Sequence, residues 1–353
     1  GDRNVAVGNE ALATQNFTSS TDSYNVGVGY QAGTNLTTGG TNTLIGGLAG
    51  SAITTASHTV AVGFQAGTAI TTGANNICIG RIAGDSITTS VSNTIVGSNA
   101  GTNITTGNGE NVVIGNNAGI ALSTGQQNVI IGDNAMANAT PGAYNLNVFV
   151  GDNAGLVNAA SNNVGVGGSA LTANTSGTSN TALGTYALTT NTTGNSNTAV
   201  GYSSMGLNTT GYNNVGLGFQ ALYNNTTAIQ NTAVGYYSLL AATTGSANTA
   251  VGYASMQSKT TGVSNVAVGD SAMITSTTGN NNVAVGRDSL KLNTSGSSNV
   301  SLGYASLFQN TTGANNVAIG QTALTNNTTA NSNTAVGHQS LNANTTGSSN
   351  TAV

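Results

Sequence analysis

Polar and apolar positions along this chain follow one short phrase. An Asn is followed by one or two small or β-branched residues, then by Val, Ile or Leu, and then by Gly. Asn197-Thr198-Ala199-Val200-Gly201 is one copy of twenty-one, and fifteen of the nineteen steps between successive phrase glycines are 17 residues. The other four steps are 21, 18, 19 and 16 residues. A fixed period this short marks a solenoid, in which each unit buries its apolar side only by stacking on its neighbours. Seventeen residues punctuated by two glycine columns are too few for a helical repeat and suit one β-coil. The pattern therefore predicts an all-β, parallel β-solenoid of about 20 coils, elongated along the axis with strands about 4.8 Å apart.

Counting each coil from its Asn, position 4 is Val, Ile or Leu in every copy, and the pattern makes it the central core column. Two extended runs are expected, around positions 2–4 and 7–14. Glycines at positions 5 and 15 would take φ > 0 where the chain turns. The position 5 corner column includes Gly184, Gly201, Gly218, Gly235 and Gly252. Position 1 (Asn180, Asn197, Asn214, Asn231, Asn248) is Asn in all copies but the one at Thr59. Stacked amides of this kind hydrogen-bond along an axis, so the column reads as a structural Asn ladder, with sugar binding as the alternative.

Positions 9 and 12 exchange roles along the chain. Over 1–127 the regular coils carry Gly at position 9 (Gly33, Gly50, Gly67) and Leu or Ile at position 12 (Leu36, Ile53, Ile70). Over 163–353 position 9 is Leu or Met (Leu171, Met205, Leu222), and position 12 is Asn in nearly every coil. Interiors tolerate neither voids nor overfilling, so both positions are expected to border one buried space. Between these subtypes, 128–162 holds irregular steps, the single proline Pro141 and Phe149 at the usually small third position. It reads as junction coils with a loop near residues 139–145. Gly1-Asp2-Arg3-Asn4 aligns with the late repeat segment Gly211-Tyr212-Asn213-Asn214, and Val353 stops one residue before its Gly. The chain therefore reads as a window of a longer array.

Charge changes the picture more than hydropathy does. Charged residues make up 4 %, with five basic and nine acidic side chains, against about a quarter in a typical soluble domain. Nucleic acid binding needs clustered Lys and Arg and is not expected. No apolar run is long enough to cross a bilayer, so no membrane insertion is expected in this segment. Cys78 has no partner for a disulfide or a thiolate metal site. His58 and His338 lie about sixteen coils apart, so they share no imidazole site. Gly27-Val28-Gly29 lacks the strand–turn–helix context of a nucleotide loop. No catalytic constellation, cofactor site or metal site is expected; a cation between Asp133 and Asp152 is the weak alternative.

Position 6 is the variable column. It carries Tyr202, Phe219, Tyr236, Tyr253 and Tyr304, with Asp270 and Arg287 one coil apart between them. The set reads as a possible contact ridge: a seam where aromatics pack, or a surface meeting glycan or a partner. The phrases Asn315-Asn316-Val317-Ala318-Ile319-Gly320 and Asn281-Asn282-Val283-Ala284-Val285-Gly286 resemble the head repeats of YadA-type trimeric autotransporter adhesins. The longer Asn-Thr-Ala-Val-Gly-Tyr form also resembles repeats of phage tail fibres and large bacterial surface proteins. The resemblance spans essentially the whole chain. It implies a left-handed parallel β-roll, a homotrimer, and an extracellular fibre that attaches to a receptor.

The expected function is accordingly non-enzymatic: a structural and adhesive segment of an extracellular fibre, such as a surface adhesin or filament. Self-association as a homotrimer or filament is expected, with a cell-surface or glycan receptor. The alternative is a phage tail-fibre shaft for host attachment. An ice-binding solenoid presenting the paired Thr of positions 13 and 14 is a third reading.

Overall fold

The computed structural model describes residues 3–17 and 22–353; Gly1 and Asp2, used above to align the N-terminal end, lie outside them. The chain is a parallel β-solenoid with a repeat of about 17 residues and, among the described residues, twenty-one short strands. No helix occurs among the described residues. It divides into two units, Gly1–Thr178 and Ser179–Val353. The strands are numbered in chain order, from β1 (Val5–Val7) to β10 (Val164–Val166) in the first unit and from β11 (Thr181–Leu183) to β21 (Thr351–Ala352) in the second. Within each unit every strand pairs in parallel with the next. Equivalent positions lie side by side, as in Thr198↔Val215, Ala199↔Gly216 and Val200↔Leu217.

Each coil contributes one strand, at positions 2–4. The second extended run expected at positions 7–14 is instead a chain of turns. The reason is local: positions 7, 9 and 17 adopt left-handed backbone, as at Ser203, Met205 and Asn213 with φ of 51°, 50° and 56°. A non-glycine residue there costs roughly 1–2 kcal/mol. The stack offsets that cost with axial hydrogen bonds. Ser203 N–H donates to Thr185 O at 3.0 Å, Met205 N–H to Ala221 O at 2.9 Å and Asn213 N–H to Asn195 O at 3.1 Å.

The core column differs from the expected one. Position 3 is buried from Gly27 to Ala335, for example Leu44, Cys78, Ile130, Ala199 and Ala250. Position 4 faces outward: Ile45, Ile79, Leu183 and Leu302 are 38–42 % exposed. Alternate residues of a strand face opposite sides, and the buried Asn at position 1 sets the parity. Positions 1 and 3 point in; 2 and 4 point out. The interior is completed by positions 8, 9, 12 and 15, as Ser204, Met205, Asn208 and Gly211 are all buried.

Positions 9 and 12 do border one space, and position 3 shares it. A Cβ on Gly50 would lie 2.7 Å from Ile53 Cδ1 and 2.8 Å from Leu44 Cδ2. In the junction the filler moves again. Position 9 is Gly155, position 12 is the buried Asn158, and the fully buried Phe149 ring would stand 2.6 Å from a Cβ on Gly155. The loop over 138–146 passes through mostly exposed residues, and Tyr144 Oη donates to Thr140 O at 2.8 Å.

The two glycine columns answer different constraints. Gly184, Gly201, Gly218, Gly235 and Gly252 hold φ between 123° and 140°. A Cβ on any of them would stand 2.5–2.6 Å from the next glycine carbonyl oxygen of the column. Position 15 does not take positive φ at Gly194, Gly211 or Gly245, contrary to expectation. It is small because it points into the coil, and Ala56, Ala228 and Ala330 occupy the same column.

Candidate functional surfaces

The Asn column runs through the interior. Asn197 Oδ1 accepts the Asn214 backbone N–H at 3.0 Å and an N–H of the Asn214 carboxamide at 3.2 Å, while Asn197 Nδ2 donates to Gly211 O at 2.8 Å. Asn180, Asn214, Asn231 and Asn248 repeat the donation across their own coils at 2.8–2.9 Å. These amides are fully buried with both ends engaged, which leaves no face for a sugar. They clamp position 1 of each coil to its position 15 carbonyl and to the following coil. Thr59 breaks the ladder, and its Oγ1 is buried with no partner. Asn76 Nδ2 reaches back to Gly73 O at 3.1 Å, the carbonyl that an Asn at 59 would serve.

A second ladder is not apparent from spacing alone. In the second unit Asn208 Nδ2 donates to Asn191 Oδ1 at 2.7 Å and to Gly211 O at 3.0 Å. Asn225 continues it to Asn208 Oδ1 at 2.6 Å. Its signal in the sequence is the Asn column at position 12, but only the shared position 15 carbonyl shows that the two Asn columns meet inside the coil.

The structure brings together four of the five ridge aromatics. Tyr202, Phe219, Tyr236 and Tyr253 stack with centroids 5.4, 5.0 and 5.6 Å apart and planes within 11°. Tyr186 caps one end edge-on at 5.8 Å, and Tyr237 leans on Tyr236 at 4.1 Å. Tyr304 stands apart as an exposed ring. Stacked pairs of this kind are worth about 0.5–1.5 kcal/mol each beyond area. Because neighbouring rings cover one another's faces, the column presents ring edges and phenol groups to solvent. That geometry suits a seam better than a sugar platform, which needs open ring faces. Past the stack, Arg287 Nε lies 3.6 Å from Asp270 Oδ2 and 3.4 Å from Asp288 Oδ2, and Lys291 Nζ lies 2.8 Å from Asp288 Oδ1. The Asp270–Arg287 pair is exposed and contributes only about 0–1 kcal/mol.

The remaining chemistry-bearing residues stay separate. Cys78 is buried, and burial first, then Asp85, pushes its thiol up to about 12. His58 and His338 are both exposed. Asp133 is engaged by the amides of Asn116 and Asn134, and Asp152 by Asn153. Among the described residues there is no cluster of three metal-ligating side chains, and no helix long and apolar enough to cross a membrane. The paired Thr also divide in role. Thr209 Oγ1 donates to Thr226 O at 3.0 Å and Thr226 Oγ1 to Thr243 O at 3.1 Å, so position 13 hydroxyls are tied to backbone while position 14 is exposed.

What the repeat keeps constant on its outside is the strand face. Position 2 is Val, Ile or Thr and position 4 is Val, Ile or Leu in every coil, without one charge. Both are half-buried to exposed throughout. Comparison with known proteins assigns no family: no protein-family model matches the chain, and no curated protein matches it.

Proposed function

We propose that this chain is a non-enzymatic structural and adhesive segment of an extracellular fibre, and that copies of it associate side by side through the outward strand face. One observation carries this reading: an uncharged, half-exposed row of β-branched and aliphatic side chains repeated in every coil. Position 4 gains nothing in the interior, yet stays Val, Ile or Leu throughout. A partner that meets every coil in the same way must repeat at the same axial distance, and a second copy of the chain does so. With on the order of 100 Å² of uncovered side chain per strand, about eight strands offer roughly the 800 Å² per partner of a standard interface. The resemblance to adhesin head and tail-fibre repeats supplies the extracellular setting and the receptor-binding role.

Light scattering on the purified chain tests the association. The expected result is an oligomer at micromolar concentration. Glu at Val234, Val251 and Val268 together should give a monomer with unchanged circular dichroism, since these side chains line no core. A parent chain that stays monomeric at tens of micromolar would remove the interface. Antibody labelling separates the settings: decoration of intact cells supports the adhesin or filament, and decoration of virions supports the tail-fibre shaft.

A further inference from the structure

The second Asn ladder is interrupted over three consecutive coils, and the residue in the middle is a buried lysine. Position 12 reads Asn191, Asn208, Asn225, then Ala242, Lys259, Ser276, then Asn293 and Asn310. Where the ladder stops, Asn225 Oδ1 is buried with no hydrogen-bond partner, because Ala242 has no amide to give it. Lys259 is fully buried. Its Nζ donates forward to Ser276 Oγ at 3.2 Å and to Gly279 O. Gly279 O also accepts from Asn265 Nδ2 at 3.0 Å. The lysine amine thus takes the place of the amide that Ser276 lacks.

Charge decides what that substitution does. A neutral amine has two N–H groups, matched here by two acceptors. An ammonium adds a third donor and a full charge, and burial of an unpaired charge is strongly unfavourable. None of the inward-facing residues of the coils beginning at Asn231, Asn248 and Asn265 is ionisable apart from Lys259 itself. The ionisable side chains these coils carry elsewhere, Tyr236, Tyr237, Tyr253 and Asp270, stand at positions 6 and 7. Asp270 pairs with Arg287.

We propose that the coils from Asn231 to Asn281 form an acid-labile segment of the second unit, opened by protonation of Lys259. Burial lowers the lysine from 10.5 to about 7, so the closed segment binds fewer protons than the open one between those values. Lowering the pH through that window therefore favours opening. The segment is weak for a second reason that charge does not touch: the orphaned Asn225 carbonyl and the missing Ala242 amide leave two interior bonds unmade. Acidification thus acts beside the place where the position 12 ladder is broken, between Asn225 and Ala242.

Hydrogen exchange of the whole chain at pH 6 and pH 8.5, corrected for intrinsic rates, tests this. Peptides covering 242–282 should show an opening equilibrium on the order of tenfold or more larger at pH 6, with peptides covering 299–340 unchanged. Lys259→Asn, which restores an amide at position 12, should abolish the difference; Lys259→Met should do so as well. Equal protection at both pH values in the parent would overturn the proposal, as would a pH effect that survives in both variants. A carbon NMR titration of Lys259 Cε needs no variant: a midpoint near neutrality supports the assignment, and one above 9.5 sinks it.

Discussion

Gly201 and Gly211 belong to one coil and are glycine for different reasons. At Gly201, φ is 123° and a Cβ would press on the Gly218 carbonyl oxygen at 2.6 Å, with backbone on both sides of the contact. Strain of this kind costs about 1–3 kcal/mol before the clash is counted, so Gly201→Ala should lose at least about 2–3 kcal/mol in urea unfolding. Gly211→Ala should lose less than Gly201→Ala. A Cβ there would also stand close to backbone, at Ala228 O, but its φ is not positive, and Ala228 and Ala330 already fill that column beside Asn225 and Asn327. A reversed order would show that the corner is set by something other than axial stacking. Thr59 offers the opposite test. Its hydroxyl is buried without a partner, and Asn76 bends back to cover Gly73 O. Thr59→Asn rebuilds the ladder and should gain about 1 kcal/mol, the net worth of a typical buried hydrogen bond.

At the scale of one coil, the sequence carried the period, the corner glycine column and the trade between positions 9 and 12. It did not carry the parity of the strand. Hydropathy alone points the largest and most constant side chain, at position 4, inward. The buried amide at position 1 has no hydropathy signature, yet in a three-residue strand it decides which face is the core. Volume was legible because it is conserved within a coil whichever position supplies it. That rule predicts a repacking. Phe149→Ala alone should cost about 3–5 kcal/mol. Gly155→Leu alone should also destabilise, since its side chain would occupy the space of the Phe149 ring. Together they recreate the Ala, Leu and Asn set of positions 3, 9 and 12 found at Ala182, Leu188 and Asn191. The double variant should then recover most of the loss, a coupling of more than about 2 kcal/mol in a double-mutant cycle. Simple additivity of the two losses would show that positions 3 and 9 do not share a space.

For a whole stacked unit, the hydrogen bonds set how damage travels. The bonds tying coils together join each coil to the one before or after it, such as Asn197 to Asn214 and Thr209 to Thr226. Among the described residues of the second unit, no backbone bond between coils skips a neighbour. Stability is then close to a sum of coil and interface contributions, and a lesion weakens its neighbours without dissolving the unit. A compact globular domain behaves otherwise, since one core lesion lowers protection everywhere by the global amount. Gly201→Ala distinguishes the two within the second unit. It disturbs the contact between the coils that begin at Asn197 and Asn214, so exchange protection should fall over roughly residues 184–235. Peptides covering 299–340 should keep parental rates under the same conditions. Uniform loss along the second unit would mean that its coils unfold together, and that nearest-neighbour stacking does not set its cooperativity.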